Sequence, residues 1–188
     1  FDYSYELEDT LKNRGKEAEV ERLRKIADMG AFTSIRQKFP GGLGHAVLAA
    51  RPIVGDQSFA VLLGDDIIRP DNGAPPAIGQ LIEAHTATGK GQIALITVPR
   101  EEICKYGAAE ISDREENERW FNVHSLVEKP APGTEPSDQA VIGRYCLPAE
   151  IWSALERTEP GKGGEIQLTD ALDILRKEHG LMGVRFEG

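Results

Sequence analysis

Two continuous apolar segments separated by one amphipathic segment constrain the fold of this chain more than any other feature. The first covers residues 59–63 and the second covers residues 92–98. Each is typical of a buried strand, because apolar residues follow one another without alternation throughout the first segment and from Ile93 to Ile96 in the second. Residues 77–88 between them are typical of a helix, and Gly89 is positioned to end it. A strand, a helix and a strand at this spacing predict a right-handed βαβ unit.

The second half of the sequence changes character and predicts a smaller mixed β region. Strand-like runs cover residues 107–112, 123–129 and 140–147, and residues 130–138 form a turn-rich linker. We therefore expect an α/β fold in a single domain over residues 1–188. Its sheet is expected to be Rossmann-like, mixed and mostly parallel, flanked by helices, with this small β region added.

The remaining segments are mostly helical by pattern. Residues 31–36 are the exception, because they read as a strand. Gly15 is expected to weaken or break the first helix. The end of the last helix is expected at Gly180, with Thr169 or Asp170 as its N-cap. These helices are expected at residues 5–29, 45–51, 148–157 and 169–179.

Composition and charge exclude several classes of function. The net charge of −9 argues against a nucleic-acid polymer as partner, since phosphate backbones need clustered Lys and Arg. No apolar run approaches the ~20 residues that span a bilayer, and the acidic N-terminal segment does not resemble a signal peptide. Cys104 and Cys146 lie far apart and suggest neither a disulfide framework nor a zinc site. We therefore expect a cytoplasmic protein without a membrane partner.

Two adjacent carboxylates, Asp65 and Asp66, directly follow the first apolar segment. In open α/β sheets, ligands bind beyond the carboxyl ends of strands. An aspartate there can ligate Mg²⁺ while the ion keeps waters and phosphate oxygens. A polar turn with a helix cap is the other interpretation, and the two residues alone leave both open.

An acid and a base, Glu128 and Lys129, end another strand-like run, and Pro130 prevents its extension as a central strand. Neighbouring residues of a regular strand point to opposite faces, so these two are not expected to pair with each other. One could accept protons from sugar hydroxyls while the other approaches a phosphate; a solvated strand end is the alternative. Gly107, at a strand entry, could admit a ligand close to the backbone or be a simple turn glycine.

Two glycine-rich segments carry similar alternatives. Gly41 and Gly42 precede a helix start, where a phosphate could bind, or they form an ordinary turn. Glu165, Gln167 and Asp170 could line a pocket or cap the helix that follows. No histidine spacing, nucleophile elbow or P-loop motif points to another chemistry.

The order of these motifs is more specific than any one of them. From the N-terminus they are QKFPGGLGHAV, VLLGDD, KYGAAEI, VEKP, AVIGRYCL and GGEIQLTDALD. In this order and over nearly its whole length, the chain resembles the bacterial UTP–glucose-1-phosphate uridylyltransferase family. The G-L-G-H-A and G-E-I-Q-L-T-D-A segments are distinctive of that family. The dTTP-using relatives share the layout but usually lack the first segment.

The resemblance implies a nucleotide-diphospho-sugar transferase fold and roles for the nucleotide side of the site. Gln37, Pro40 and Gly42 match positions that hold the uracil base. Asp65 matches the aspartate that binds Mg²⁺ beside the nucleotide phosphates. Lys129 matches the lysine that contacts the sugar phosphate. Asp65 and Lys129 are therefore the expected catalytic residues, and phosphate binding is no longer expected at the glycine pair.

The sugar side of the site follows from the same resemblance. Gly107, Glu128 and Gly143 match positions around the glucose ring, with Glu128 accepting hydrogen bonds from sugar hydroxyls. Val141 and Ile142 lie on the same sugar-side strand.

The implied reaction joins UTP and glucose 1-phosphate, with Mg²⁺, to give UDP-glucose and pyrophosphate. A dTTP-using glucose-1-phosphate thymidylyltransferase and a non-catalytic regulatory homologue are the alternatives. Family members begin with a strand and a G-x-G-T-R-x-x-P loop, continue beyond the position of Gly188 to a second metal-binding aspartate, and are commonly dimers or tetramers. We therefore expect a central portion of a longer, homo-oligomeric enzyme, without its first strands and inactive alone.

Overall fold

The chain forms two units. The computed structural model describes residues 2–71, 73–112 and 119–188. Contacts within the chain group Phe1–Arg36 into one unit and Gln37–Gly188 into the other. The expectation of a single domain over residues 1–188 stays a prediction.

The first unit is a pair of helices, α1 (Tyr5–Asn13) and α2 (Glu17–Ala27). The break predicted at Gly15 is present, and this glycine has a left-handed φ of 67°. The strand predicted for residues 31–36 is wrong, since these residues form neither a helix nor a strand and are all exposed. A short segment needs a hydrogen-bonded neighbour to become a strand, and no described strand pairs with this one.

The second unit contains five helices and six strands among the described residues. The helices are α3 (Leu43–Ala49), α4 (Arg51–Val54), α5 (Ala77–Thr88), α6 (Ile151–Arg157) and α7 (Leu168–His179). The strands are β1 (Phe59–Leu62), β2 (Gly91–Thr97), β3 (Gly107–Ile111), β4 (Trp120–Glu128), β5 (Gln139–Leu147) and β6 (Leu181–Arg185). Short 3-10 turns lie at Ile103–Lys105 and Lys162–Gly164. No sequence-based prediction covers β6.

The six strands form one mixed sheet in the order β1-β5-β2-β6-β4-β3, with an additional pairing of β3 with β5. Only β2 and β6 pair in parallel among the described strands, so the prediction of a mostly parallel sheet is wrong. The predicted βαβ unit explains the error. Its strands β1 and β2 both run antiparallel to β5 and therefore point the same way, but β5 lies between them.

Helices cover both faces of the sheet, which confirms the coarser prediction of a mixed sheet flanked by helices. Helices α3, α6 and α7 pack with Ile93 and Leu95 of β2 in the larger core. Helix α5 contributes Leu81 and Ala84 to a second core, which includes Ala94 of β2. Alternate residues of β2 therefore enter opposite cores, as strand geometry requires. No helix in the described parts of the chain is long and apolar enough to cross a membrane.

Strand β5 creates a gap in the sheet that positions the candidate site. Along one edge, its residues Ala140 and Val141 pair with β3, and Arg144 to Leu147 pair with β1. Strand β2 occupies the opposite edge along most of the same length. Between the β3 and β1 pairings lie Ile142 and Gly143, where β5 changes partner on that edge. Such a change of partner leaves room for a ligand.

Candidate functional site

A cavity of about 290 Å³ lies at this gap, and we call it the strand-end cavity. It brings together all the residues predicted for the metal, the sugar and the sugar phosphate. They come from separate segments of the sequence: the turn after β1, the start of β3, the end of β4 and the middle of β5. These residues are Asp65, Gly107, Glu128, Lys129, Val141, Ile142 and Gly143.

Gly107 lies where three strands meet. It is the first residue of β3 and pairs with Glu128 on one side and Val141 on the other. A Cβ at Gly107 would lie 3.3 Å from Oγ1 of Thr169 and 3.4 Å from Oε2 of Glu128. The absence of a side chain therefore leaves room for these two polar groups directly above the backbone.

The two aspartates after β1 differ in their surroundings. Leu63 N–H donates to the carbonyl oxygen of Gly143 at 2.9 Å, and Gly143 N–H donates to Oδ2 of Asp66 at 2.8 Å. The Asp66 carboxylate thus continues the β1–β5 pairing after β1 has ended. Asp65 is exposed and makes no hydrogen bond or ion pair within the described part of the chain. Its carboxylate oxygens remain open towards the cavity.

Arg144 stabilises the turn after β1, a role that the sequence did not indicate. Its side chain is 9% exposed, and its guanidinium donates to three carbonyl oxygens. The acceptors are Gly143 at 2.7 Å, Leu63 at 3.2 Å and Asp66 at 2.5 Å. A buried guanidinium is costly to desolvate unless its donors are used, so these bonds stabilise the turn that carries Asp65.

Lys129 departs from the strand geometry expected for it. Among the described residues it is the one non-glycine with a positive φ, 43°, and its N–H donates to the carbonyl oxygen of Tyr106 at 3.0 Å. This left-handed turn brings its Nζ to 3.8 Å from Oε1 of Glu128. The expectation that the two side chains would not pair assumed a regular strand, and this condition is not met because the strand ends at Glu128. The Lys129 side chain is 64% exposed, so its charge faces the opening.

A wider opening of about 550 Å³ adjoins the strand-end cavity and shares Glu128, Lys129 and Gln167 with it. Glu165 and Asp170 also line it, as the pocket interpretation of this segment predicted. The predicted N-cap of α7 is wrong by two or three residues, because the cap is Gln167.

Carboxylates dominate the electrostatics of these cavities. Burial raises the pKa of Asp170 above its usual range, and the negative charges of Glu128 and Asp173 raise it further. Burial likewise raises the pKa of the Tyr145 phenol, with smaller contributions from Glu128 and Asp66. A cation bound in the strand-end cavity would offset this accumulation of negative charge.

The residues predicted to hold the base lie beside the strand-end cavity, outside the set that lines it. Pro40 is exposed, and Nε2 of Gln37 donates to the carbonyl oxygen of Gly42 at 3.1 Å. The same Nε2 lies 2.7 Å from Nδ1 of His45, whose ring stacks on that of Phe39. The segment is connected to the cavity through the residue after Gly42, Leu43, which lines it.

The two most distinctive motifs of the sequence pack against each other. Gly44 N–H donates to the carbonyl oxygen of Ile166 at 2.9 Å, and Ile166 N–H donates to that of Gly41 at 2.8 Å. Gly42 has a φ of 93°, and a Cβ there would lie 2.7 Å from the Ile166 carbonyl oxygen. The glycines of this loop therefore permit close packing of two backbone segments, one explanation of the motif that needs no ligand.

The described residues could hold a divalent metal ion only if a bound nucleotide and water supplied further ligands. The described residues contain no group of three or more His, Cys, Asp or Glu side chains that could hold a metal ion. The open carboxylate of Asp65 suits a hard cation such as Mg²⁺, which commonly takes one or two protein carboxylates and completes its shell with water and phosphate oxygens.

Comparison with known proteins identifies the family. A family model described as nucleotidyl transferase matches residues 10–187. The chain belongs to the nucleotidyl transferase family. The chain is 43% identical over 188 residues to the UTP–glucose-1-phosphate uridylyltransferase of Bacillus subtilis (strain 168). That match covers 100% of the chain and 63% of the relative, so the chain spans less than two thirds of the relative's length.

Solved structures agree with this assignment. A UDP-glucose pyrophosphorylase complexed with UDP-glucose matches at 34% identity and a TM-score of 0.87, over 100% of the chain and 67% of that structure. A UTP-bound UGPase from Acinetobacter baumannii matches at 34% identity and a TM-score of 0.87, over 100% of the chain and 64% of that structure. The resemblance of the chain to the uridylyltransferases is thus confirmed.

Several residues of the candidate site were not predicted as site residues. Thr169 and Tyr145 line the cavity, while Arg144 and Asp66 hold the turn that carries Asp65. Only Asp66 had a signal in the sequence, its place beside Asp65. The others read as a helix cap or as strand residues, because their partners are distant in sequence.

Proposed function

We propose that the full-length protein transfers a uridylyl group from UTP to glucose 1-phosphate, giving UDP-glucose and pyrophosphate. A phosphate oxygen of the sugar phosphate attacks the α-phosphorus of UTP. The bond between that phosphorus and the bridging oxygen to the β-phosphorus breaks, and pyrophosphate leaves. The observation that carries the proposal is the convergence of Asp65, Glu128 and Lys129 at one cavity.

The proposed role of Lys129 follows from its charge and exposure. In-line displacement at phosphorus needs alignment of two anions and neutralisation of their charge more than it needs acid–base catalysis. The Lys129 ammonium lies at the opening, next to the carboxylate of Glu128. It would attract the phosphate of the sugar, while Glu128 would accept hydrogen bonds from the hydroxyls of the sugar ring.

Mg²⁺ is the proposed cofactor, with Asp65 as its protein ligand. When bound, the ion would offset the charge of the nucleotide phosphates and fix their orientation. Asp66 is not part of this proposal, because its carboxylate accepts the Gly143 N–H. Gln37, Pro40 and Gly42 are proposed to hold the uracil base, with Gly107, Val141 and Gly143 around the sugar.

The choice of UTP over dTTP is supported by the relatives, whose names specify UTP. The test is pyrophosphate release by the full-length protein with glucose 1-phosphate, Mg²⁺ and, in turn, UTP, dTTP or ATP. We expect at least a tenfold preference in kcat/KM for UTP, the factor that about 1.4 kcal/mol of differential binding gives. Comparable rates with dTTP would favour the thymidylyltransferase alternative, and no turnover with any nucleotide would favour a non-catalytic homologue.

A further inference from the structure

A hydroxyl group that was not predicted as part of the site lies against the carboxylate proposed to bind the sugar. Oγ1 of Thr169 donates to Oε2 of Glu128 at 2.6 Å. Thr169 belongs to α7 and Glu128 ends β4, so the bond joins a helix to a strand across 41 positions of sequence. Hydrogen bonds to a charged acceptor are stronger and shorter than neutral ones.

The packing around Thr169 fixes the direction of this bond. Thr169 is 9% exposed, and its neighbours Leu168 and Ala171 are buried in the larger core. The backbone of Gly107 lies next to both partners, so that an added Cβ would contact Oγ1 of Thr169 and Oε2 of Glu128. The hydroxyl therefore has a defined position.

Because of this bond, the two carboxylate oxygens of Glu128 have different partners. Oε2 already accepts from Thr169, whereas Oε1 lies 3.8 Å from Nζ of Lys129. Oε1 is thus the oxygen left for a sugar hydroxyl, next to the ammonium proposed to bind the sugar phosphate. Without the hydroxyl of Thr169, the carboxylate could rotate and present either oxygen, or turn fully towards Lys129.

We propose that Thr169 is a positioning residue that orients the Glu128 carboxylate towards a hydroxyl of the sugar ring. This inference rests on the proposed function, since it assumes a sugar phosphate as substrate. Thr169 acts through Glu128 and does not itself contact the reacting atoms. It consequently affects recognition of the sugar and its hydroxyl stereochemistry, and leaves recognition of the nucleotide unchanged.

The test compares Thr169→Val, which removes the hydroxyl at nearly constant shape, with Thr169→Ser, which keeps it, in the full-length protein. Thr158→Val is the matched control. Thr158 is also a buried threonine, but its Oγ1 donates to the Ala154 carbonyl oxygen in α6, and it does not line the cavity. KM and kcat are measured separately for glucose 1-phosphate and for UTP, and galactose 1-phosphate is used to measure discrimination between epimers.

For Thr169→Val we expect KM for glucose 1-phosphate to rise about tenfold, because the sugar would lose about one hydrogen bond to the charged carboxylate of Glu128. KM for UTP should stay within about twofold of the wild-type value. Preference for glucose 1-phosphate over its epimer should fall by a similar factor. Thr169→Ser should stay within about threefold of the wild type, and Thr158→Val should have wild-type kinetics whatever its melting temperature.

A double-mutant cycle separates positioning from folding. If Thr169 acts through Glu128, then Thr169→Val should add less than about twofold to the sugar KM of a Glu128→Gln protein. Additive effects, an unchanged sugar KM, or equal increases for both substrates would overturn the inference. If Thr169→Val fails to fold, the Ser variant decides, because a loss of epimer discrimination by that variant contradicts the proposal. A wild-type protein inactive with UTP and glucose 1-phosphate removes the proposed function itself, and this inference with it.

Discussion

Asp66 accepts a hydrogen bond from the backbone N–H of Gly143 at 2.8 Å, and this contact joins the turn after β1 to the middle of β5. It gives the glycine a structural reason to lack a side chain. A Cβ at position 143 would lie against Oδ2 of Asp66 and 2.7 Å from Cβ of Leu63. The space next to Gly143 is therefore already used by the protein, whether or not a sugar also approaches it.

Gly143→Ala is expected to lower the free energy of unfolding by about 1–3 kcal/mol, the usual range for overpacking a close contact. The measurement is urea denaturation of the full-length protein. Gly79→Ala in α5 is the control, since a Cβ there meets nothing closer than 3.9 Å. Gly79 lies in the first turn of this helix, where the change should be neutral or stabilising by up to about 0.5–1 kcal/mol. Equal stabilities for the two variants would show that the turn accommodates a methyl group.

The two adjacent aspartates are expected to respond differently to substitution. Asp65→Asn removes the charge proposed to bind Mg²⁺, so we expect turnover to fall by about 10²–10³. Stability should be unchanged, because this carboxylate has no partner among the described residues. Asp66→Ala leaves the Gly143 N–H without an acceptor and should cost about 1–3 kcal/mol of unfolding free energy. Activity assays and urea denaturation of both variants provide the comparison.

Asp56→Asn is the control for this pair, because Asp56 is exposed and does not line the strand-end cavity. It should change neither turnover nor stability. Near-normal turnover in the Asp65→Asn protein would remove Asp65 from the proposed metal site.

Local patterns predicted the elements of this fold better than their pairing. Helix α5 spans residues 77–88 as predicted, and its C-cap Gly89 has a left-handed φ of 68°, because a helix pattern and its stop are properties of neighbouring residues. Strand direction is not such a property. Phe59 pairs with Leu147, far along the chain. The apolar sequence of a strand does not reveal whether its partner runs parallel or antiparallel to it. The mostly parallel sheet was predicted for that reason.

The candidate site likewise contains residues that the sequence indicated and residues that it did not. The strand-end rule indicated Asp65 as a candidate and left a polar turn as the alternative, whereas the sugar role of Glu128 came from the family resemblance. The structure brings both residues to one cavity. Arg144 and Thr169 could not be found by such a rule, since their partners, Leu63 and Glu128, lie far away in sequence. Lys129 shows a third case, where a left-handed turn overrides the alternation of a regular strand.

Arg144→Met should destabilise the turn that carries Asp65. The substitution keeps much of the buried aliphatic volume but leaves the carbonyl oxygens of Leu63 and Asp66 without this donor, at an expected cost of about 1–3 kcal/mol. Arg144→Lys should recover only part of it, because one ammonium cannot reproduce the planar set of donors. Amide hydrogen exchange of residues 63–66, together with urea denaturation, measures the effect.

Arg69→Met provides the comparison for Arg144→Met, since the Arg69 side chain is exposed and makes no hydrogen bond or ion pair within the described part of the chain. It should leave hydrogen exchange and stability at their wild-type values. Faster exchange in both proteins, or in neither, would contradict the role assigned to Arg144.

The contribution of Asp173 in helix α7 to stability is expected to depend on pH. Burial acts to raise the pKa of Asp173, but hydrogen bonds from Lys177 and Arg176, at 2.7 Å and 2.8 Å, outweigh burial and hold that pKa below its ordinary value. A lowered folded-state pKa means that the carboxylate stabilises the folded protein above the unfolded-state pKa of about 4. This contribution is lost as the pH falls through the lower, folded-state value.

Asp173→Asn should therefore reduce stability at pH 7 by less than about 1 kcal/mol, the sum of two helix-surface ion pairs. The difference from the wild type should shrink below about pH 4. Melting temperatures of both proteins measure this difference between about pH 3 and pH 7, a range that brackets the ordinary carboxyl pKa. Glu159→Gln is the control, because Glu159 is exposed and has no ion pair within the described residues. A penalty for Asp173→Asn that persists undiminished at the lowest pH would show that its origin is not the charge of the carboxylate.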